Sequence, residues 1–64
     1  MPMIVVEGPK IQEEERKREL VKKLTDVAVE IYGIDGEHII VLIRENALEN
    51  VGVGGQLMAD RAKG

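Results

Sequence analysis

The stretch Met1-Pro2-Met3-Ile4-Val5-Val6 places a proline directly before a run of four apolar residues. This run is continuous and three of its four residues are β-branched, which predicts a short strand buried on both faces. A second run, Ile39-Ile40-Val41-Leu42-Ile43, has the same character and lies between Asp35-Gly36 and Arg44-Glu45. It predicts a central strand, so two buried strands form the frame of the fold.

A helical pattern separates the two strands. Apolar residues recur there at intervals of one, three and three, at Leu20, Val21, Leu24, Val27, Ala28, Ile31 and Tyr32. This spacing predicts one long amphipathic helix from about Gln12, and Gly33 stands at the C′ position that ends it. Opposite charges lie four residues apart, so the charged residues are predicted to form a solvated face, with the pairs Glu13/Lys17, Glu14/Arg18 and Glu19/Lys23.

The order strand, helix, strand predicts one βαβ unit with parallel strands and a right-handed crossover. Turns are predicted at Glu7-Gly8-Pro9-Lys10 and at Gly52, Gly54 and Gly55, and the second of these closes a C-terminal hairpin. Residues 57–61 fit either a strand or a helix. The chain is therefore interpreted as a single α/β (α+β) domain over residues 1–64, whose two-stranded sheet needs oligomerisation to complete it.

Size and composition also favour self-association. A chain of 64 residues buries only about 60% of its unfolded surface, and the usual supplements are disulfides, a metal or oligomerisation. The chain has no cysteine, and its one histidine, His38, is predicted to begin the second strand as a surface residue. Neither a disulfide nor a metal site is therefore expected. With one tyrosine and no other aromatic residue, the core should be aliphatic. A homo-oligomer is the remaining prediction.

The charge balance argues against two classes of partner. The formal net charge is −3 and gives no basic patch, and a single tyrosine provides no platform on which bases could stack, so we expect no nucleic-acid partner. A ribbon-type DNA-binding dimer would need a basic, polar strand, whereas residues 3–6 are apolar. No apolar run approaches the roughly 20 residues of a membrane span and no secretory leader is recognisable, so we expect no membrane partner and a cytoplasmic location.

Pro2 has the clearest catalytic chemistry in the sequence. If Met1 is removed, the Pro2 nitrogen becomes a secondary amine at the start of a buried strand. A free α-amino group titrates near about 7.7–8.0, and an apolar setting lowers that pKa towards neutrality, which suits a general base. The structural alternative is a proline at a strand start, where the missing N–H is harmless. The chain has no serine or cysteine, and Thr25 lacks partners, so nucleophilic catalysis is not expected.

Taken in order, these features resemble the 4-oxalocrotonate tautomerase family across essentially the whole chain. The shared features are the proline before an apolar strand, the Glu7-Gly8 turn, an acidic-then-basic helix, an aliphatic strand that ends near Glu45, and Gly-Val-Gly-Gly at residues 52–55. The resemblance implies a β-α-β protomer that pairs into a dimer with a four-stranded sheet. It further implies a trimer of dimers, so a homohexamer is the state that we expect.

The resemblance also implies a mechanism. Proton transfer would convert a 2-hydroxydienoate or enol acid to its conjugated keto isomer, with Pro2 as base and acid and with no cofactor. The characterised family member adds an arginine after the Glu-Gly turn, a strand arginine, and a phenylalanine before the glycine segment. Here Lys10 follows the turn, Ile40 takes the position of the strand arginine, and Val51 that of the phenylalanine. Arg44 lies on the same side of its strand as Ile40, so Lys10 or Arg44 is expected to hold a substrate carboxylate.

Two alternatives stand beside this leading hypothesis. A catalytically inactive oligomeric scaffold of the same fold would explain an apolar residue at Ile40 and a retained Met1, because the attached methionine makes the Pro2 nitrogen a tertiary amide without basicity. Within the enzyme class, a protonated Pro2 would also suit hydration or dehalogenation of an unsaturated acid. The substrate and pathway are left open at this level.

Overall fold

The computed structural model describes residues 1–62, in which two strands and a long helix precede a small hairpin and a short helix. The elements in chain order are β1 (Met3–Gly8), α1 (Glu14–Tyr32), β2 (Ile40–Glu45), β3 (Gly52–Val53), β4 (Gln56–Leu57) and α2 (Met58–Ala62). Two 3₁₀ turns, at Gly36–His38 and Leu48–Asn50, flank β2. The single domain predicted over residues 1–64 includes residues 63 and 64, which lie outside the described residues.

Strands β1 and β2 pair in parallel, as the βαβ prediction requires. The register runs from Met3 opposite Ile40 to Gly8 opposite Glu45. The predicted end of the first strand at residue 6 was wrong, because the pairing continues through Gly8, whose carbonyl accepts a hydrogen bond from the Asn46 N–H at 2.8 Å. The turn therefore begins at Pro9, which has no N–H to continue the ladder.

The start of β2 also differs from its prediction by a small step. His38 does not begin the strand but ends the 3₁₀ turn, and it is exposed as a surface histidine should be. Ile39 is buried and caps that turn, since its N–H donates to the Gly36 carbonyl at 3.0 Å. Strand pairing begins one residue later, at Ile40.

Helix α1 ends as the sequence predicts and begins two residues later than predicted. Gly33 adopts the left-handed conformation with φ 67°, and its N–H donates to the Val29 carbonyl at 2.9 Å. The pairs Glu14/Arg18 and Glu19/Lys23 form. The pair Glu13/Lys17 was a wrong prediction, because Glu13 is the N-cap residue and the Lys17 ammonium lies 3.1 Å from the Glu45 carboxylate instead.

The two faces of the β1–β2 sheet are covered unequally. Residues at alternate positions, Ile4, Val6, Val41 and Ile43, are half-buried, and the contact between Lys17 and Glu45 shows that this face is turned towards α1. On the opposite side, Met3, Val5, Ile40 and Leu42 are each between 37% and 55% exposed. We call these four residues the open face. The prediction that the strands are buried on both faces therefore holds for one face of a single chain, and the open face is left uncovered.

The C-terminal hairpin is confirmed, and its turn depends on two glycines. Gly54 and Gly55 have φ of 61° and 82°, and they connect β3 to β4 in a two-residue turn of the kind that needs positive φ at both positions. The ambiguous stretch after Leu57 is helical from Met58 onward, and the Met58 N–H donates to the Val51 carbonyl at 2.8 Å. Neither α1 nor α2 has the length and hydropathy of a bilayer-spanning helix, within the part of the chain that is described.

Candidate active site

Pro2 lies at the amino end of the parallel sheet. It precedes β1 directly and is half-buried, and its carbonyl accepts a hydrogen bond from the Ile40 N–H at 3.1 Å. Met1 extends beyond it and is 85% exposed. Removal of Met1 would thus take away an exposed residue and leave Pro2 as the first residue of the chain, joined to Ile40 through its carbonyl.

Arg44 lies at the opposite, carboxyl end of the sheet. It shares the open face with Ile40, as strand alternation predicts, but stands four residues further along, about 13 Å at the usual rise per residue. Its guanidinium lies 3.7 Å from the carboxylate of Glu7, the residue opposite it in the register. Both side chains are 56% exposed. The Asn46 side-chain amide donates to the other Glu7 oxygen at 3.3 Å, so the three residues form a short polar chain.

Lys10 lies in the segment between β1 and α1, also at the carboxyl end. Its side chain is exposed, and the neighbouring Ile11 N–H donates to the Glu45 carboxylate at 2.8 Å. The Lys17 ammonium contacts the same carboxylate oxygen, Oε2. The Ile11 hydrogen bond, followed by those from Lys17 and by the charges of Lys17 and Lys10, lowers the pKa of Glu45 below its ordinary value. Glu45 is therefore an ionised anchor for this segment at neutral pH.

Val51 lines a largely apolar cavity of about 340 Å³ at the same end of the sheet. Leu48 and Met58 form other parts of its wall, and Glu7 and Asn46 supply the polar groups. Val51 takes the position of the phenylalanine in the family resemblance, and its apolar side chain can exclude water from this cavity.

The predicted site residues are thus divided between two ends of one chain. Ile40 lies next to Pro2, whereas Lys10, Arg44 and Val51 lie at the far end of the strands. The sequence did not reveal two further residues of this region. Glu7 contacts Arg44, and Glu45 binds the Ile11 N–H in the segment that carries Lys10. Their signal in the sequence was weak, because a charged residue after an apolar strand usually marks only where the strand ends.

The comparison with known proteins identifies the family. The model of a family described as tautomerase enzyme matches residues 2–61. The chain belongs to the tautomerase family. The 2-hydroxymuconate tautomerase of Bacillus subtilis (strain 168) is 33% identical to it over 60 residues, which cover 94% of this chain and 97% of that protein.

Solved structures agree with this assignment. DmpI from Archaeoglobus fulgidus is 54% identical, with 92% of this chain and 100% of that chain covered and a TM-score of 0.83. YwhB, a homologue of 4-oxalocrotonate tautomerase, is 32% identical, with 92% and 97% covered and a TM-score of 0.85. The β-α-β tautomerase fold is therefore confirmed, and the protein is an isomerase. This finding favours the enzyme hypothesis over the inactive scaffold.

Family membership indicates why the separation of the predicted site residues matters for the chemistry. A tautomerase must move a proton and stabilise the charge that develops on its substrate. In this tautomerase the candidate proton carrier, Pro2, and the candidate cations, Lys10 and Arg44, stand at opposite ends of the sheet. Each end of one chain therefore carries only part of this predicted set of residues.

Proposed function

We propose that this tautomerase moves a proton in a small 2-hydroxydienoate or enol/keto acid, with the Pro2 amine as general base and acid after Met1 is removed. The observation that carries the proposal is the half-buried Pro2 beside Ile40, behind an exposed Met1. The B. subtilis relative is a 2-hydroxymuconate tautomerase, which supports this substrate class. The reaction is an isomerisation, so it consumes no co-reactant.

The proton follows a closed path in the proposed reaction. The neutral Pro2 amine accepts a proton from the substrate 2-hydroxyl, and the oxygen becomes the carbonyl of the keto isomer as the double bonds shift. The protonated amine then returns the proton to a carbon of the conjugated system. Apolar neighbours such as Ile40 disfavour the charged amine, which keeps part of it neutral and able to act as a base near neutral pH.

The substrate carboxylate and the developing negative charge need a cation. Lys10 and Arg44 are the proposed donors, and Val51 is proposed to keep water from the bound acid. Because Ile40 supplies no charge beside Pro2, the cation must approach from elsewhere. A lysine would act as a point charge, whereas Arg44 could bind a carboxylate with two parallel hydrogen bonds.

A second copy of the chain is the proposed source of that cation. The open face is apolar and uncovered, and two copies related by a two-fold axis present the same surface to each other. An antiparallel arrangement of the two sheets brings the amino end of one copy to the carboxyl end of the other. We propose a homo-oligomer of this kind, a dimer or a trimer of dimers, in which Pro2 and Arg44 of one site come from different copies.

The first experiment combines mass and activity on one sample. Intact mass on the purified protein shows whether Met1 is absent, and a ketonisation assay then follows 2-hydroxymuconate, related 2-hydroxydienoates and phenylenolpyruvate. We expect a processed chain that is active, and a Pro2→Ala variant about 10²- to 10⁴-fold less active, the usual share of general acid–base catalysis. If a form that retains Met1 is as inactive as Pro2→Ala, the free amine is required.

Two results would contradict the proposal. Full activity in Pro2→Ala would remove the amine from the mechanism. A processed chain with a free Pro2 that ketonises none of the substrates would exclude this substrate class and return the scaffold hypothesis to first place. Hydration of an unsaturated acid by the same processed chain would instead point to the acid role of a protonated Pro2.

A further inference from the structure

Glu45 makes contacts that the proposed proton transfer does not use. It lies at the last position of β2, on the face turned towards α1, and its side chain is 28% exposed. One of its oxygens, Oε2, accepts the Ile11 N–H at 2.8 Å and lies 3.1 Å from the Lys17 ammonium. Three elements, β2, α1 and the connection between β1 and α1, therefore meet at this one carboxylate.

The connection between β1 and α1, residues 9–13, makes few hydrogen bonds to the rest of the described chain. Pro9 has no N–H to donate, and Lys10 and Gln12 are exposed. Among the hydrogen bonds of residues 1–62, the one from Ile11 to Glu45 fastens the middle of this segment to the sheet. Lys10 directly precedes Ile11, so the hydrogen bond from Ile11 to Glu45 also restricts the position of the Lys10 backbone.

We propose that Glu45 is a positioning residue for substrate binding, which fixes residues 9–13 against β2 and thereby sets the place of the Lys10 ammonium. The inference rests on the proposed function in one respect, that Lys10 holds the substrate carboxylate. Glu45 does not touch the substrate. Its negative charge also lies close enough to Lys10 to act on it electrostatically, and the Lys10 charge contributes in turn to the low pKa of Glu45.

The effect of losing Glu45 should be on substrate binding and not on the proton transfer. A carboxylate-binding lysine contacts the substrate in the ground state and the transition state alike, so its displacement raises KM and leaves kcat unchanged. We expect Glu45→Ala to raise KM about tenfold, the effect of losing a hydrogen bond to a charged group. Glu45→Gln keeps an acceptor for the Ile11 N–H and should restore most of the wild-type KM.

Glu19 offers a matched control. It is also an ion-paired glutamate, but it lies within α1, and its pKa is lowered first by its hydrogen bond with Lys23 and then by the charge of Arg16. It has no described hydrogen bond to residues 9–13. Glu19→Ala should leave KM within twofold of wild type. Lys17→Met separates the two contacts of Glu45, because it removes the ion pair and leaves the Ile11 hydrogen bond.

A double-mutant cycle tests whether Glu45 acts through Lys10. If it does, Glu45→Ala raises KM less than twofold when Lys10 is already methionine, since the charge that Glu45 positions is gone. A tenfold rise in KM that persists in Lys10→Met would overturn the proposal. So would a fall in kcat with unchanged KM in Glu45→Ala.

A measurement without substrate keeps the result distinct from the proposed function. Hydrogen exchange of the Ile11 amide, followed by NMR, should be at least several-fold faster in Glu45→Ala than in Glu19→Ala. Equal exchange in the two variants would show that Glu45 does not hold the segment, whatever reaction the protein catalyses. If Pro2→Ala kept full activity while Ile11 exchange was still faster in Glu45→Ala, only the proposed function would be contradicted.

Discussion

The two ends of the parallel sheet differ in chemistry, although the same two strands form both. At the amino end, the residues opposite each other are Met3 and Ile40, both uncharged, and Pro2 stands beside them. At the carboxyl end, the opposed residues are Glu7 and Arg44, which form an ion pair. One end suits a neutral amine and the other suits an anionic ligand. A site that combined the proposed Pro2 base with the proposed Arg44 cation would therefore need the amino end of one chain and the carboxyl end of another.

The largest predicted effect comes from breaking the surface that would join the two ends. Leu42 lies in the middle of the open face, opposite Val5. Leu42→Glu places an unpaired carboxylate in the proposed interface, which costs several kcal/mol when the charge is buried. We expect sedimentation velocity to show a smaller species or unfolded chain, with activity lost in parallel.

Ile31→Glu is the control for this variant. Ile31 is an apolar residue of α1 that is more exposed than Leu42, and it lies outside the open face. It should keep the assembly and the activity of the wild type. An assembly that survives Leu42→Glu unchanged would show that the open face is not the interface, and the two ends would then have to be joined in another way.

The second prediction tests directly whether the two ends come from different chains. Pro2→Ala and Arg44→Ala should each be weakly active when taken alone through unfolding and refolding. Refolded together in equal amounts, they should form mixed pairs in half of the cases, each with one intact site. Activity should then recover to about a quarter of the wild-type value for two-fold pairing. No recovery in a mixture shown by mass to contain mixed pairs would place both residues in one chain's site or remove Arg44 from it.

Local pattern was enough to predict most of the fold. The apolar runs at residues 3–6 and 39–43 indicated the strands, the helical spacing indicated α1, and Gly33 marked its end through the left-handed conformation that glycine tolerates. The turn at Gly54-Gly55 followed from the same property. These features depend on neighbours in sequence, which is why they could be interpreted without the structure.

The contacts at the carboxyl end could not be predicted in this way. Glu7 extends β1 because it lies opposite Arg44 in the register of the sheet. Lys17 pairs with Glu45, 28 positions later in the chain, and not with Glu13. Such pairings depend on the register of two distant segments. For the site, the sequence pattern singled out Pro2, and the family resemblance added the candidate cations, but neither could show that they lie at opposite ends of the sheet.

A smaller predicted effect concerns the ion pair that distinguishes the carboxyl end. In the proposed site Glu7 would compete with the substrate carboxylate for Arg44, and an exposed ion pair of this kind is worth about 0.2–1 kcal/mol. Glu7→Gln should therefore lower KM by up to about fivefold, with kcat unchanged. Its amide oxygen can still accept from Asn46, so the local fold should be kept.

Glu37→Gln, which removes an exposed carboxylate near the amino end, should leave KM as it is. The fall in KM caused by Glu7→Gln should disappear in an Arg44→Ala background, which would show that Glu7 acts through Arg44. An equal change in KM from both glutamine variants would mean only that the net charge of the protein attracts or repels the substrate.

The smallest predicted effect is a difference in acid sensitivity at the carboxyl end. The folded pKa of Glu45 is lowered, mainly by the Ile11 N–H and by Lys17, so its ionised form stabilises the fold. This contribution is complete above the ordinary value of 4.5, and it is lost as the pH falls through the lower folded value. The difference in unfolding free energy between wild type and Glu45→Gln, measured by urea titration at fixed protein concentration, should therefore be constant from pH 8 to about 5 and shrink below that. A difference that stays constant to pH 3 would show that the charge of Glu45 does not hold residues 9–13, and that the hydrogen bond from Ile11 suffices without it.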